Sequence, residues 1–205
     1  MKTSFTVCAS IATFSLLIAI PVHGGLIVDQ QQTLENGVTA TFTSPAQSFI
    51  PTLTSLNFVE LGLEDRDPDN SIGANLFVQI RQTSITGTII GTSSTLSLSD
   101  GFGAPVGSGL TPVLFTFPSL VSLTPSNTYV LQLFISSGDT FLVNTSDSNP
   151  YSGGTAFFFG SPFSDSDLYF REGILSAVPE PSTALFGVIG ILGLQLRRIR
   201  NGRNG

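Results

Sequence analysis

An acidic run at residues 64–70 holds the side chains of this chain that are best arranged for chemistry. Its three alternating carboxylates are Asp65, Asp67 and Asp69. Oxygen atoms grouped in a loop are the ligands that Ca²⁺ prefers. The run departs from the EF-hand pattern, because Asn70 stands where the turn glycine belongs and Leu76 where the bidentate glutamate belongs. We therefore expect either a calcium loop of another type or a solvated loop that Arg66 partly neutralises.

Other carboxylates could serve as acid and base in the hydrolysis of a glycosidic bond. That reaction needs two carboxyl groups about 5–10 Å apart. The candidates are Glu60, Glu64 and Glu172. Nothing in the sequence pairs any two of them, and the chain has no Trp and only 3 Tyr with which to line a sugar cleft. We expect no enzymatic activity, and a glycoside hydrolase is a remote alternative.

The N-terminal segment, residues 1–24, has the organisation of an export signal. Lys2 supplies a positive charge, residues 11–20 form an apolar core, and the residues up to Gly24 suit a signal peptidase. We expect a signal peptide that is cleaved after Gly24. An uncleaved N-terminal anchor is the alternative, although Pro21 closes the apolar run early.

Removal of that segment would take several catalytic side-chain types with it. The chain has 1 His, 1 Cys and 1 Met, which are His23, Cys8 and Met1. A mature chain that starts at Gly25 therefore excludes zinc sites built on Cys or His, Ser-His-Asp triads, haem ligation and thiol chemistry. Such a domain has no disulfide and depends on its hydrophobic core, for which about 150 residues suffice.

Charge is divided unequally along the chain. All 14 acidic residues lie between Asp29 and Glu180. The same stretch contains three basic residues, which are Arg66, Arg81 and Arg171. Three arginines against 14 acids give this stretch a formal charge of −11, compared with −6 for the whole chain. Phosphate binding needs clustered Lys and Arg, so we expect no nucleic-acid partner and favour cations, neutral glycans or a matrix.

Between residue 25 and residue 177 the sequence alternates apolar and polar side chains in the manner of β-strands. The alternation is clearest at 59–63, 76–81 and 129–135, and further strands are predicted at 25–30, 37–43, 46–50, 86–91, 113–118, 139–144, 154–160 and 167–172. Turns rich in Gly and Ser separate these segments. We predict an all-β domain over 25–177, a two-sheet antiparallel sandwich of the jelly-roll type.

Phenylalanine is the expected bulky residue of the core. Of the 17 Phe, 14 fall in the predicted domain, and no Trp is present. The run at 157–159 places an aromatic ring on each side of one predicted strand. Most of these rings should be buried, while an exposed subset could contact glycan.

The C-terminal residues 178–205 have a three-part organisation. A polar segment with two prolines occupies 178–183, an apolar run occupies 184–194, and arginines follow. Residues 183–196 would form a helix of roughly 21 Å at about 1.5 Å per residue, which is short for a hydrocarbon core of about 30 Å. We expect an apolar C-terminal helix that engages the inner membrane transiently, with its basic end in the cytoplasm. A permanent anchor and a buried helix of the domain are the alternatives.

This order of elements resembles the PEP-CTERM sorting signal of exported proteins in exopolysaccharide-producing bacteria. The resemblance rests on Pro179, Glu180 and Pro181, followed by the apolar run and the arginines. It implies recognition by an exosortase, a membrane protease of the transpeptidase type, and delivery of the body to the cell surface or extracellular matrix. The three Pro-Glu-Pro residues would be what the protease recognises. The stop-transfer residues would be Arg197, Arg198 and Arg200.

Two functions of different classes follow from these observations. The first is a non-enzymatic surface or matrix protein that is sorted through its tail and associates with exopolysaccharide or biofilm, without a cofactor. The second is a lectin-like glycan-binding module, with or without Ca²⁺. That module would contact sugar through an exposed Tyr151 or Tyr169, whereas buried tyrosines would favour the first function.

Overall fold

The segments with a period of two form strands, as the alternation of their side chains requires. The computed structural model describes residues 25–103 and 111–176. In these residues there are fourteen strands and a 3-10 helix at Thr41–Thr43. The strands are β1 Leu26–Gln32, β2 Gly37–Ala40, β3 Ala46–Phe49, β4 Ser55–Asp65, β5 Ala74–Gln82, β6 Ile89–Thr92, β7 Leu96–Leu98, β8 Pro112–Ser122, β9 Tyr129–Gly138, β10 Phe141–Ser146, β11 Ala156–Phe158, β12 Ser161–Phe163, β13 Asp167–Leu168 and β14 Phe170–Leu175.

These strands form two antiparallel sheets of seven strands each. Sheet 1 has the order β1-β14-β4-β10-β13, with β2 paired to β10 and β8 paired to β4. Sheet 2 has the order β12-β11-β3-β9-β5-β6, with β7 paired to β5. Most neighbours in a sheet are distant in sequence. The first and last strands, β1 and β14, lie side by side in sheet 1.

One hydrophobic core receives side chains from both sheets. Leu61 and Phe170 of sheet 1 and Leu76 and Leu131 of sheet 2 are fully buried within it. The fully buried phenylalanines, as expected, are among the largest buried side chains: Phe49, Phe115, Phe141 and Phe170 belong to this core, and Phe58 is buried outside it. The predicted all-β class with two antiparallel sheets is confirmed, and a shared core is consistent with a sandwich. All described residues belong to one compact unit, Gly25–Ser176.

Two predicted strands end early because a turn intervenes. The strand predicted at 37–43 stops at Ala40, since Thr41–Thr43 forms the 3-10 helix. The strand predicted at 154–160 is limited to β11, since Phe159 and the next residue both have positive φ.

Other differences arise where the strands are short. The strand predicted at 86–91 begins only at Ile89. Its first residues belong to a turn in which the Gly87 amide donates to the Ser84 carbonyl, 2.9 Å away. Strands β7 and β12 were not predicted, because three residues are too few to establish a period.

The predicted signal peptide at 1–24 and the predicted C-terminal segment at 178–205 lie outside the described residues. The apolar tail helix and the sorting and stop-transfer residues therefore stay predictions. In the part of the chain that the structure describes, no helix is long and apolar enough to cross a membrane.

Candidate functional site

The acidic run divides between a strand and a turn, whereas the sequence predicted a loop throughout. Strand β4 continues to Asp65, which is fully buried. Its carboxylate accepts hydrogen bonds from the backbone amides of Asp67, at 3.0 Å, and Gly101, at 2.9 Å. Asp67 and Asp69 are exposed in the turn. Asp65 thus ties two turns together at the end of β4.

The three aspartates are not assembled as a ligand set. Across residues 25–103 and 111–176, no group of three or more His, Cys, Asp or Glu side chains is arranged to hold a metal ion. The arrangement expected of a calcium loop at Asp65, Asp67 and Asp69 is therefore not found. The physical reason is that β4 places the first of them among backbone donors inside the fold.

Tyr169 lies inside the fold and does not present its ring to solvent. Only 5% of the residue is exposed, so Tyr169 does not provide the exposed ring that the lectin-like alternative requires. Its hydroxyl donates to Glu60 Oε1 at 3.1 Å, and Arg171 Nη1 lies 3.3 Å from the same oxygen. Burial, followed by the negative charge of Glu60 and this hydrogen bond, raises the pKa of Tyr169 to about 12.

We expect Tyr169→Phe to lower the free energy of unfolding by about 1–2 kcal/mol at pH 7, because Glu60 would lose a buried donor. The wild-type advantage should disappear as pH rises from 10 to about 12, since the folded-state pKa lies above the ordinary value of 10.0. Urea unfolding of both proteins at neutral and alkaline pH measures this. Equal stability at pH 7 would show that the hydroxyl contributes nothing.

Tyr151 is half-buried and braces a loop against the edge of the sheets. Its ring meets the Phe170 ring edge-on, with centroids 5.2 Å apart. The hydroxyl accepts from the Ile50 amide at 3.2 Å and donates to Gln30 Oε1 at 3.1 Å. Burial and the nearby carboxylates raise the pKa of this hydroxyl. The hydroxyl therefore has both a donor and an acceptor within the protein, and the ring packs on Phe170. Tyr151 stabilises the fold and does not form an open platform for sugar.

A pair of carboxyl groups, Asp29 and Glu172, lies beside Tyr151 where β1 meets β14. Glu172 pairs with Gln30 across the two strands, and the register shifts between Val28 and Gln30. This bulge leaves Asp29 without a paired residue on β14 and redirects its side chain. Glu172 has no exposed surface, because it follows the core residue Phe170 by two positions and faces inward with it.

Asp29 is anchored by the loop between β3 and β4. Its Oδ2 accepts the backbone amides of Thr52, at 2.8 Å, and Leu53, at 2.9 Å, and its Oδ1 accepts the Thr52 hydroxyl. Burial alone would raise the pKa of Asp29, but these hydrogen bonds outweigh it and lower that pKa below its ordinary value. Asp29 is therefore held as a carboxylate.

Glu172 has the opposite environment. Neither of its oxygens has a hydrogen-bond partner as a carboxylate, although the nearby Gln30 amide favours the charged form weakly. A protonated Glu172 can donate to Asp29. Burial, followed by the charge of Asp29 and this hydrogen bond, raises the pKa of Glu172 to about 8. At neutral pH the pair holds one proton between two carboxyl groups.

Opposed pKa values in neighbouring carboxyl groups are also a feature of acid–base catalysis. Here the proton-bearing group has no exposed surface, so a substrate cannot reach it. The other glutamates do not join the pair. Glu60 lies opposite Arg171 in sheet 1 and so faces away from the inward side of Glu172. Glu64 lies four residues along β4 from Glu60, which is about 13 Å in a strand.

Asp167 forms a polar contact between the two sheets. Its two oxygens accept from Gln47 Nε2 and from the Tyr151 amide, both at 2.8 Å. Gln47 belongs to β3 of sheet 2 and Asp167 to β13 of sheet 1. Burial raises the pKa of Asp167 against these hydrogen bonds. The contact therefore joins the two sheets and also holds the backbone of Tyr151.

Among the described residues, two features at the surface could contact a ligand. One is a depression of about 360 Å³ at the end of β5, lined by Gln82, Thr83, Asn127, Thr128 and Tyr129. The other is a pair of exposed rings, Phe42 and Phe159, with centroids 6.2 Å apart and planes at 67°. Phe42 is 60% exposed and Phe159 70% exposed. Sequence reasoning allowed for exposed phenylalanines but did not identify these two.

No protein-family profile matches this chain, and no curated protein matches it.

Proposed function

We propose that this chain is a non-enzymatic exported protein of the cell surface or extracellular matrix, sorted through its C-terminal segment. The observation that carries the proposal is the order of elements in 178–205: a Pro-Glu-Pro sequence, an apolar run and terminal arginines. An exosortase-type membrane protease would recognise Pro179, Glu180 and Pro181. Until the protease cleaves the tail, the apolar run would hold the chain in the inner membrane, with Arg197, Arg198 and Arg200 on the cytoplasmic side.

The position of the body's ends supports removal of both flanking segments. Leu26 pairs with Leu175, and the Ser176 amide donates to the Gly25 carbonyl at 3.0 Å. The chain therefore enters and leaves the sheets at one place. Cleavage after Gly24 and near Pro181 would cut no described strand.

The finer architecture belongs to the same proposal. We assign the sandwich to the jelly-roll type because β14 lies between β1 and β4 in sheet 1, and β9 lies between β3 and β5 in sheet 2. In each case a late strand is inserted between two earlier ones, as long Greek-key connections produce. The apolar run after residue 183 is proposed to be helical.

The non-enzymatic assignment is supported by where the carboxyl groups lie. The pair with opposed pKa values includes a fully buried Glu172. Glu60 is engaged by Tyr169 and Arg171. Both glutamates are engaged inside the fold, where a substrate would not meet them as a free acid and base pair.

The first test is the intact mass of the protein recovered from the cell envelope and medium of its native host. The proposal predicts a chain that begins at Gly25 and ends near Pro181. A mass that retains residues 184–205 in all fractions would contradict tail removal.

Replacement of the central motif residue tests the sorting step itself. We expect Glu180→Ala to retain the tail and to accumulate with the membrane, with surface delivery reduced at least about tenfold, because the protease would lose the charge that it recognises. Intact mass and fractionation measure this, and Glu172→Gln in the body is the matched control. Normal trimming of the Glu180 variant would refute the assignment of the tail.

A second candidate function, a glycan-binding module, is favoured by one observation. Phe42 and Phe159 expose two touching rings at one end of sheet 2, although Tyr151 and Tyr169 do not provide the platform.

A further inference from the structure

The backbone at Phe159 is unfavourable for its side chain. Phe158 pairs with Ser161, so Phe159 and Gly160 form a two-residue turn between β11 and β12. Their φ values are 53° and 78°. Such turns favour Asn-Gly or Asp-Gly, and an L-residue with positive φ costs about 1–2 kcal/mol. A large aromatic residue at this position is not explained by the stability of the turn.

The side chain gains little packing that could offset this cost. Phe159 is 70% exposed, and its ring contact is with Phe42, which is itself 60% exposed. Phe42 lies in the 3-10 helix before β3. Two rings from separate segments are thus brought together on the surface. Strain combined with exposure is typical of positions kept for binding. We call this pair the aromatic platform.

Hydroxyl side chains flank the two phenylalanines in the sequence. They are Thr43, Ser44 and Ser161. Two of the body's three arginines have partners of their own: Arg81 donates to Gln79 and the Gly87 carbonyl, and Arg171 contacts Glu60. An anionic polymer or membrane would meet an acidic body without a basic patch. Charge therefore favours a neutral partner.

The adjacent edge strand is unsuited to pairing with a second copy of the chain. Strand β12 has three residues, and the middle one is Pro162. A proline lacks the amide hydrogen needed for strand pairing, and short edge strands resist association. A ligand that stacks on the rings fits this edge better than a ligand that pairs with its backbone.

We propose that the aromatic platform binds a neutral polysaccharide. The C–H groups on one face of a pyranose ring would contact the electron-rich faces of Phe42 and Phe159, and the flanking hydroxyls would meet sugar hydroxyls. This inference rests on the proposed matrix location, since it names what the body would hold there. In this proposal the residues that contact sugar are Phe42 and Phe159, whereas the sequence suggested Tyr151 or Tyr169.

The decisive variant is Phe159→Asn. Asparagine suits the turn, so we expect stability to be unchanged or higher by about 1 kcal/mol. Polysaccharide binding should weaken at least about tenfold, because one ring of the platform is lost. The full-length protein in non-ionic detergent is run in native gels that contain hydroxyethylcellulose, galactomannan or dextran. Retardation by at least one of them, lost in Phe159→Asn and in Phe42→Ser, is the expected result.

Leu120→Ser is the matched control, since Leu120 is 59% exposed on β8 of sheet 1. It should bind as the wild type does. Absence of retardation by every neutral polysaccharide, or retardation that survives Phe159→Asn, would overturn the proposal. Platform-dependent binding to alginate or phospholipid vesicles, or platform-dependent self-association in sedimentation, would overturn it as well. The intact mass of Phe159→Asn from the host reports sorting separately, so either proposal can fail alone.

Discussion

Glu172→Gln is expected to raise the free energy of unfolding by about 3 kcal/mol at pH 7. In the unfolded wild-type chain Glu172 is ionised above its ordinary pKa of 4.5, whereas the folded state holds it protonated up to about pH 8. Folding at pH 7 therefore requires uptake of a proton, which costs about 1.4 kcal/mol for each pH unit above 4.5. Glutamine has nearly the same size, carries no charge, and can donate an amide hydrogen to Asp29. It avoids this cost.

The pH dependence identifies the cause. Because the folded-state pKa is raised, the folded protein binds more protons than the unfolded chain between pH 4.5 and about 8. Wild-type stability should fall across this window by about 5 kcal/mol and then level off. The variant should lack this fall, so the two proteins should be equally stable near pH 4.5. Asp29 changes the stability in the opposite direction. Because its folded-state pKa is lowered, it stabilises the fold above pH 3.8, and this contribution is lost only as pH falls below 3.8.

Urea unfolding followed by circular dichroism from about pH 4 to pH 9 measures both curves. Asp165→Asn is the matched control, since it also removes one carboxylate but from an exposed loop. That control should keep the wild-type slope. A Glu172→Gln curve parallel to the wild-type curve would mean that Glu172 is not a buried acid in the folded protein.

The burial of Glu172 could have been predicted from its spacing in the sequence, although not from composition. Phe170 is an obvious core residue, and Glu172 follows it by two positions in a predicted strand, so both must face the same side. Likewise, Asp65 continues the inward series of Leu61 and Leu63 in β4. Treating 64–70 as a loop hid this alternation. Tyr169 occupies the alternate position, which the pattern assigns to the opposite face from Phe170. The partner of its buried hydroxyl is Glu60, 109 residues away in the chain.

What the sequence does not provide is the pairing of distant strands. The alternation in β4, β5 and β9 is visible within a few residues, and these strands were predicted. The pairing of β1 with β14 depends on a bulge at Asp29 and on Gly173, which pairs with Val28 beside the bulge. A shift of one residue would turn Glu172 to the other face. The exposure of Phe159 was not predicted either. A turn inside a run of three phenylalanines has the same sequence pattern as a strand that continues.

Gly173 makes this pairing possible. Its φ is 154°, and a Cβ atom there would lie 2.0 Å from the Ile27 carbonyl oxygen across the strand pair. That contact is with backbone, so no side-chain rotation can relieve it. Only a glycine lets β1 approach β14 closely at the bulge.

Gly173→Ala should therefore destabilise the protein by about 3–5 kcal/mol, which combines backbone strain with overpacking. Gly160→Ala is the matched control, because Gly160 has a φ of 78° but nothing within 4 Å of the added atom. It should cost about 1–2 kcal/mol. Urea unfolding measures both losses, and hydrogen exchange of the β1 amides shows whether that strand separates.

Separation of β1 would have a second consequence. Asp29 would leave Glu172, and water would reach the carboxyl group. Burial, the charge of Asp29 and the hydrogen bond to it would then all raise the pKa of Glu172 less. The fall in stability between pH 4.5 and about 8 should then be smaller in Gly173→Ala than in the wild type or Gly160→Ala. If Gly173→Ala keeps full stability, protected β1 amides and the wild-type pH slope, the close approach of β1 to β14 is not what buries Glu172.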